Sequence, residues 1–195
     1  MAVRAHRGFA LIFVVVTLGV MAILATVMLF NTDTSLHQRN IRNAVTALRR
    51  FKGELGAAGV TPTYRGDVLK YPGRLSYLYA KIATTDNDAC GTFYVATDVS
   101  RWAGPYHLIP MLRTQNYQLA PGIVAQDQLL RVPPSGTAVQ PAVLQIQLTG
   151  VAAKDAQDLG MALDGVPNGS GAQITFTPNG NNPVDVLFNI NIVGC

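Results

Sequence analysis

The N-terminal part of the chain carries an unbroken apolar run that later changes into an amphipathic pattern. The stretch from Phe9 to Phe30 contains 22 residues and no charged side chain. A helix of that length is about 33 Å long, which matches the apolar thickness of a bilayer. The apolar core of a cleaved signal peptide is shorter, about 7–15 residues. We therefore predict a retained membrane helix at residues 9–30, with signal cleavage near Ala22, Ala25 or Thr26 as the alternative.

After this run, apolar residues recur every three or four positions, the spacing of one helix face. The stripe consists of Ile41, Ala44, Val45, Leu48, Phe51 and Leu55. No proline precedes Pro62, and glycines gather at the end of the stripe, which favours a helix stop there. The pattern predicts one continuous helix from about Phe9 to about Ala57, whose amphipathic stem, residues 31–58, packs on a domain of residues 59–195.

The domain at residues 59–195 alternates in the manner of a sheet with short helices. "VLQIQLTGV" places Leu144, Ile146 and Leu148 on one face of a strand, and "AQITFTP" and "PVDVLFNINIV" flank the turn-forming "NGNN" as a hairpin. "TFYVATDV" indicates another strand, whereas "YPGRLSYLYAKIA" and "KDAQDLGMALDG" indicate short helices. Residues 110–141 are punctuated by prolines and show no assignable pattern. We predict an α+β fold: a long N-terminal helix with an antiparallel sheet of about four strands.

The charged residues predict an orientation. Arg4, His6 and Arg7 precede the apolar run, and the positive-inside tendency keeps such a short basic end in the cytoplasm. The domain then faces outward. The net charge of +4 is unevenly divided, with +6 on residues 31–85 and −4 on residues 86–195. Opposite charges of this kind attract copies to one another, or are simply solvated.

Two cysteines fit an oxidising compartment. Cys90 lies in mid-chain and Cys195 is the last residue. A disulfide between them would close a loop of 105 residues and stabilise the fold by about 4–5 kcal/mol in the chain-entropy model. Two unpaired buried thiols are the alternative.

The layout of the N-terminus resembles the type IV prepilin signature, which pilins share with the pseudopilins of type II secretion. A basic leader ends at Gly8, directly before Phe9, and an uninterrupted apolar run and an amphipathic extension follow, so that the resemblance covers about residues 4–55. It implies that a prepilin peptidase removes the leader, residues 1–8, and N-methylates Phe9. It also implies a pilin-like fold, an inner-membrane helix with a periplasmic head, and assembly with sister subunits through the stem helix.

One position departs from that family. The fifth residue of the mature chain is usually a glutamate, whose carboxylate pairs with the neighbour's N-terminal amine, but here it is Phe13. A buried charge without its partner is costly, so the absence of the carboxylate changes which neighbours the subunit accepts. The tip pseudopilin of type II secretion also lacks this glutamate. We therefore favour a minor, tip-region or initiating subunit over a divergent major one.

Two oxygen-rich loops are weak calcium candidates. "DNDACG" places Asp86 and Asp88 as in part of a calcium loop, but Cys90 stands at the fifth position, where an oxygen donor is needed. "LDGVPNGSGA", which contains Asp164, is the second loop and is more typical of a plain turn. We expect no cofactor, with calcium as the alternative.

Other site chemistry has little support. The three histidines, His6, His37 and His107, lack the spacing of zinc ligands. The sequence has no nucleophile elbow, phosphate loop or dinucleotide fingerprint, so we expect no enzyme. The stem is basic, but its one aromatic residue, Phe51, belongs to the apolar stripe. We therefore do not expect nucleic acid as a partner.

Together these features predict a structural subunit of a type IV pilus-like filament, most consistent with a minor pseudopilin of a type II secretion system. Its expected partners are the membrane, the prepilin peptidase and sister subunits. The alternatives are a minor pilin that binds DNA or a surface ligand, and a single-pass membrane protein without a filament role.

Overall fold

The computed structural model describes residues 6–56, 63–111, 115–132, 142–178, 180 and 182–192. The chain divides into two compact units, Met1–Asn40 and Ile41–Cys195. The described part of the first unit is helical, and the second unit holds the sheet. We predicted boundaries after residues 8, 30 and 58, and the cleavage that would produce the first of these stays a prediction.

Helix α1 runs from His6 to Glu54. Its side chains are described at residues 12–26, at residue 28 and from residue 35 onward. The predicted stripe is confirmed, because all six of its residues are at most 7% exposed. The chain leaves the helical direction at Gly56, whose φ of +96° is a conformation that glycine adopts without strain.

The prediction that residues 9–30 form a membrane-spanning half of the helix is wrong. Crossing a bilayer takes about 20 consecutive apolar residues, or about 30 Å of helix. Within the described residues, no helix is both long and apolar enough to cross a membrane. The predicted fold class is corrected on this point, and so is the predicted single-pass inner-membrane location.

Residues 63–101 form short helical elements. Helix α2 spans Tyr64–Val68, a single 3₁₀ turn spans Leu75–Leu78, and helix α3 spans Ala96–Arg101. The helix that we predicted over "YPGRLSYLYAKIA" is therefore wrong except for one turn. It stops because the Leu78 carbonyl accepts backbone N–H groups from residues 106 and 107, at 2.7 and 3.1 Å, instead of one from a following helical turn.

The strand that we predicted over "TFYVATDV" is also wrong. Phe93 makes only an isolated bridge with Asn87, and α3 begins three residues later. The Asp98 Oδ2 atom accepts the Val95 N–H at 3.1 Å and so caps the first turn of α3. This local contact overrides the β-propensity of the aromatic and β-branched residues.

Within the described residues, five strands form one antiparallel sheet in the order β1-β2-β3-β5-β4. They are β1 (Tyr117–Ala120), β2 (Ile123–Val132), β3 (Ala142–Val151), β4 (Ile174–Thr175) and β5 (Val184–Ile192). The predicted strand β3 and the predicted β4–β5 pairing are confirmed. Strands β1 and β2 lie in the stretch that the pattern left unassigned. The predicted short helix is α4, Ala153–Asp164.

One face of the sheet and the stripe of α1 form a single hydrophobic core. Leu144, Ile146 and Leu148 of β3 are completely buried, as the alternation predicted. The opposite face is polar, and on it Gln145 donates a hydrogen bond to Asn189 across the strands at 2.9 Å. An antiparallel sheet with one covered face has this alternation.

Strand β2 contains a bulge that carries a buried carboxylate. The register with β3 shifts between Ala125 and Leu129, and Asp127 lies inside the shift at 3% exposure. Its Oδ1 atom accepts the Ser76 N–H at 2.8 Å, and its Oδ2 atom accepts an N–H of Arg74 at 3.2 Å. The buried charge is tolerated because both oxygens are engaged.

Candidate functional site: an exposed apolar helix surface

From Ile12 to Thr26, helix α1 exposes apolar side chains all around its axis. We name these residues the apolar segment. Every residue in it is exposed, for example Phe13 at 65% and Met21 at 68%. None of these residues is charged. A helix that is apolar on all sides is normally a buried one, and large exposed apolar patches mark interaction sites. The apolar segment therefore has the composition of a helix that another surface covers.

The two threonines of the apolar segment do not interrupt its apolar character. The Thr17 hydroxyl donates to the carbonyls of Phe13 and Val14, each at 2.9 Å. The Thr26 hydroxyl donates to the Ala22 carbonyl at 2.8 Å. Because these donors are satisfied within the helix itself, a covering surface needs no polar groups to match them.

The predicted processing site lies at the start of α1. Gly8 and Phe9 fall in its first turns, and the described side chains begin after them, at Ile12. Phe13, where the resemblance leads one to expect a glutamate, presents an aromatic ring to the outside. At this position a neighbour would meet an apolar side chain and no carboxylate.

The C-terminal end of α1 is bound to the rest of its unit through a buried histidine. His107 Nδ1 lies 2.7 Å from Glu54 Oε2, and the other oxygen of Glu54 accepts an N–H of Arg50 at 2.7 Å. The imidazole ring also packs 5.0 Å from the Phe51 ring and 5.6 Å from the Tyr117 ring. Burial raises the pKa of the Tyr117 phenol, an effect that Arg50 opposes and Glu54 reinforces.

Lys70 connects the end of α2 with the start of α3. Its Nζ atom lies 2.9 Å from Asp98 Oδ2 and 3.8 Å from Asp88 Oδ2, and 5.6 Å from the centre of the Tyr94 ring. Burial alone would raise the pKa of the Asp98 carboxyl, but hydrogen bonds from Lys70 and the Val95 N–H, together with nearby positive charge, lower it below its usual value. Asp98 is therefore ionised at neutral pH.

A group of tyrosines fills the space beside α2. Tyr64 and Tyr94 share a hydrogen bond between their hydroxyls at 2.9 Å, and Tyr106 donates to an oxygen of Asp67 at 2.8 Å. Burial raises the pKa of all three phenols. They are thus neutral hydrogen-bonding groups at physiological pH, which is a structural role and not that of an acid or base.

The first pair of calcium candidates uses its oxygens to hold a turn together. Asp86 Oδ2 accepts the Ala83 N–H at 2.7 Å. Asp88 Oδ1 accepts the N–H groups of Cys90 and Thr92, both at 2.9 Å. These are the contacts of a carboxylate that stabilises a polar turn.

The third candidate lies elsewhere. Asp164 Oδ2 accepts the N–H groups of Gln173 and Ile174, at 3.0 and 2.7 Å, and so joins the end of α4 to β4. In the part of the chain that the structure describes, no three histidine, cysteine or acidic side chains are grouped to hold a metal ion.

The remaining candidates are dispersed. Cys90 is in a disulfide bond, while its predicted partner, Cys195, lies outside the described residues. On the basic stem, Arg42 is exposed and Arg49 donates weakly to the Ala162 carbonyl at 3.5 Å. Phe51 is fully buried, so it offers no stacking surface beside these arginines.

Comparisons with known proteins do not identify a family. No protein-family model matches the sequence, and neither a curated protein nor a solved structure is significantly similar to it. The pilin-like part of the predicted fold class therefore stays a prediction.

Sequence reasoning missed the buried carboxylate of Asp127 and the contact between Glu54 and His107. Asp127 left a signal, because it stands in phase with the apolar residues Ala125 and Leu129 and so at an inward position. Glu54 and His107 left none, since 53 residues separate them and neither interrupts a pattern.

Proposed function

We propose that this chain is a structural subunit of a type IV pilus-like filament, and specifically a minor pseudopilin of a type II secretion system. The observation that carries the proposal is the apolar segment, which is exposed on every side of α1. In a filament, apolar segments of neighbouring subunits cover one another through heterologous contacts that do not close into a ring. The prepilin-like order of leader, Gly8, Phe9 and apolar run supports the same assembly.

The energetics support association through this surface. Burying a valine, leucine or isoleucine side chain contributes about 1.5–3 kcal/mol. Association costs about 4–15 kcal/mol in lost translational and rotational freedom. Because the apolar segment carries many such side chains around its circumference, contacts with two or more neighbours exceed that cost.

Phe13 supports a minor role in the filament. A subunit with a carboxylate at this position requires an amine on its neighbour, whereas Phe13 offers only apolar contact. A chain of this kind accepts neighbours by packing, which suits an end or an initiating position.

Processing is tested by the mass of the mature N-terminus in a host that contains a prepilin peptidase. We expect a chain that begins at N-methylated Phe9. The Gly8→Ala variant should retain its leader. The matched control is Gly19→Ala, because an added Cβ at Gly19 meets no atom within 4 Å, and this variant should be cleaved normally. An N-terminus at Met1, or one near residue 27, would contradict the proposal.

Assembly is tested by photo-crosslinking from the apolar segment. With benzoylphenylalanine in place of Phe13, we expect crosslinks to further copies or to sister subunits. The control position is Asn43, an exposed residue on the polar side of the stem, which should give fewer. Crosslinks of equal yield at both positions, or none at either, would refute packing through the apolar segment.

A further inference from the structure

The domain at residues 59–195 contains a polar cleft beside the outer edge of β2. Its volume is about 640 Å³. Three parts of the chain line it: Gly73, Arg74 and Tyr77, the turn at residues 85–91, and residues 128–131 of β2. The proposed filament contacts do not use this cleft.

The edge of β2 is open where it borders the cleft. Strand β1 pairs with β2 only as far as Ala125. Beyond it, the Gly73 carbonyl accepts the Leu129 N–H at 3.0 Å. Since backbone groups alternate in direction along a strand, the N–H and C=O of Arg131 point to the same edge as those of Leu129. No described residue pairs with them on that edge.

The same position carries an available positive charge. The Arg131 side chain is exposed, and its guanidinium makes no ion pair with any described residue. Arg74, which also lines the cleft, is bound to Asp127 at 3.2 Å. The open backbone edge and a cation that no described residue pairs with thus coincide at a single residue.

We infer that the β2 edge at Arg131 binds an extended segment of a partner protein that carries one acidic residue. The segment would continue the sheet where residues 73–74 stop, with its backbone paired to the N–H and C=O of Arg131. Main-chain pairing of this type provides affinity, and a carboxylate on the Arg131 guanidinium provides specificity.

Charge distinguishes this occupant from others. Two copies of this chain paired edge to edge about Arg131 would bring two arginines opposite each other, which is destabilising. Asp86 and Asp88 also line the cleft and would repel a second acidic side chain. A segment with a single carboxylate therefore fits the site better than a second copy or a strongly acidic tail.

The inference is tested with the full chain, kept dispersed in a mild detergent, and two capped heptapeptides that alternate threonine and valine around a central glutamate or lysine. We expect the glutamate peptide to slow amide hydrogen exchange at Arg131 by about fivefold or more, as a new strand pairing does, and the lysine peptide to have no effect. Arg131→Glu should reverse this preference. Lys154→Glu, which changes an exposed charge on α4, should leave it unchanged. Unaltered exchange at Leu129 shows that each variant is folded.

Three results would overturn the inference. The first is unchanged exchange at Arg131 with both peptides. The second is equal slowing by a glutamate peptide whose backbone amides are methylated, because strand pairing would then play no part. The third is exchange at Arg131 that is already slow without peptide and becomes slower as the protein concentration rises, since a second copy would then occupy the edge.

Discussion

The Asp98 carboxyl is held ionised by Lys70 and the Val95 N–H in spite of its burial. Its pKa in the folded chain is lower than the ordinary value of about 3.9 in the unfolded chain. A lowered folded pKa contributes stability that is fully present above the unfolded value and is lost as the pH falls through the folded one. The contribution of Asp98 should therefore be complete at neutral pH and decline only in acid.

The first prediction follows from the lowered pKa of Asp98. Asp98→Asn should lower the free energy of unfolding at pH 7 by about 1.5–3 kcal/mol, the range for a charge-assisted hydrogen bond. The difference from the wild type should shrink below about pH 4, because Asp98 then loses its own charge. Urea denaturation across this pH range measures both quantities. Lys70→Gln should give a similar loss at pH 7, and a gap that stays constant into acid would argue against the ion pair.

A second residue-level prediction concerns Ser76, whose hydroxyl is buried without a hydrogen-bond partner among the described residues. A buried hydroxyl that makes no hydrogen bond costs about 1–3 kcal/mol. Ser76→Ala should therefore leave the chain as stable as before or raise the free energy of unfolding by about 1 kcal/mol. Ser100→Ala, which removes an exposed hydroxyl bonded to the Thr97 carbonyl, is the control. A loss above about 1 kcal/mol at Ser76 would mean that its hydroxyl has a partner.

At the scale of elements, sequence periodicity located the parts whose burial follows their own repeat. The stripe of α1 and the inward face of strand β3 were both predictable, because each places an apolar residue inward at every helical or strand repeat. Residues 75–99 were not predictable in this way. There the Leu78 carbonyl binds backbone N–H groups of residues 106 and 107, and Asp98 caps the first turn of α3, and apolar periodicity reveals neither hydrogen bond.

Phe51 provides the element-scale prediction. It is fully buried and lies 5.0 Å from the His107 ring and 5.5 Å from the Tyr117 ring. Phe51→Ala should lower the free energy of unfolding by about 3–5 kcal/mol, the cost of removing a buried ring and leaving a cavity. Thr46→Ala, on the exposed side of the same helix, should change it by less than about 0.5 kcal/mol. Chemical denaturation followed by tyrosine fluorescence compares the two.

At the scale of the whole molecule, the sequence predicts that lipid surrounds residues 9–30, and this prediction is wrong for the described residues. The apolar character of the segment was nevertheless read correctly. Hydrophobicity tells how much surface must be removed from water, but not which surface removes it. The candidate surface was thus predictable from the sequence. The molecule that buries this surface was not, because that depends on the neighbours present and on the length of the apolar helix, which composition alone does not determine.

The whole-molecule prediction concerns that covering. The full chain, diluted from detergent, should form large assemblies at micromolar concentration, because the apolar segment is exposed on all sides. A chain that starts at Ser35 should sediment as a monomer with an unchanged near-ultraviolet circular dichroism spectrum, since its core belongs to the unit from Ile41 onward.

A full-length variant is the control for misfolding of the shortened chain. Ile12→Lys, Leu18→Lys and Leu24→Lys together place charges around the apolar segment, because these exposed residues are six positions apart and lie about 120° from one another around the helix axis. Lysine is compatible with a helix. This variant should lose assembly and keep the spectrum of the wild type. If instead the wild-type chain stays monomeric without detergent, or the lysine variant assembles equally well, then the apolar segment does not drive association. Analytical ultracentrifugation over a tenfold range of concentration decides between these outcomes.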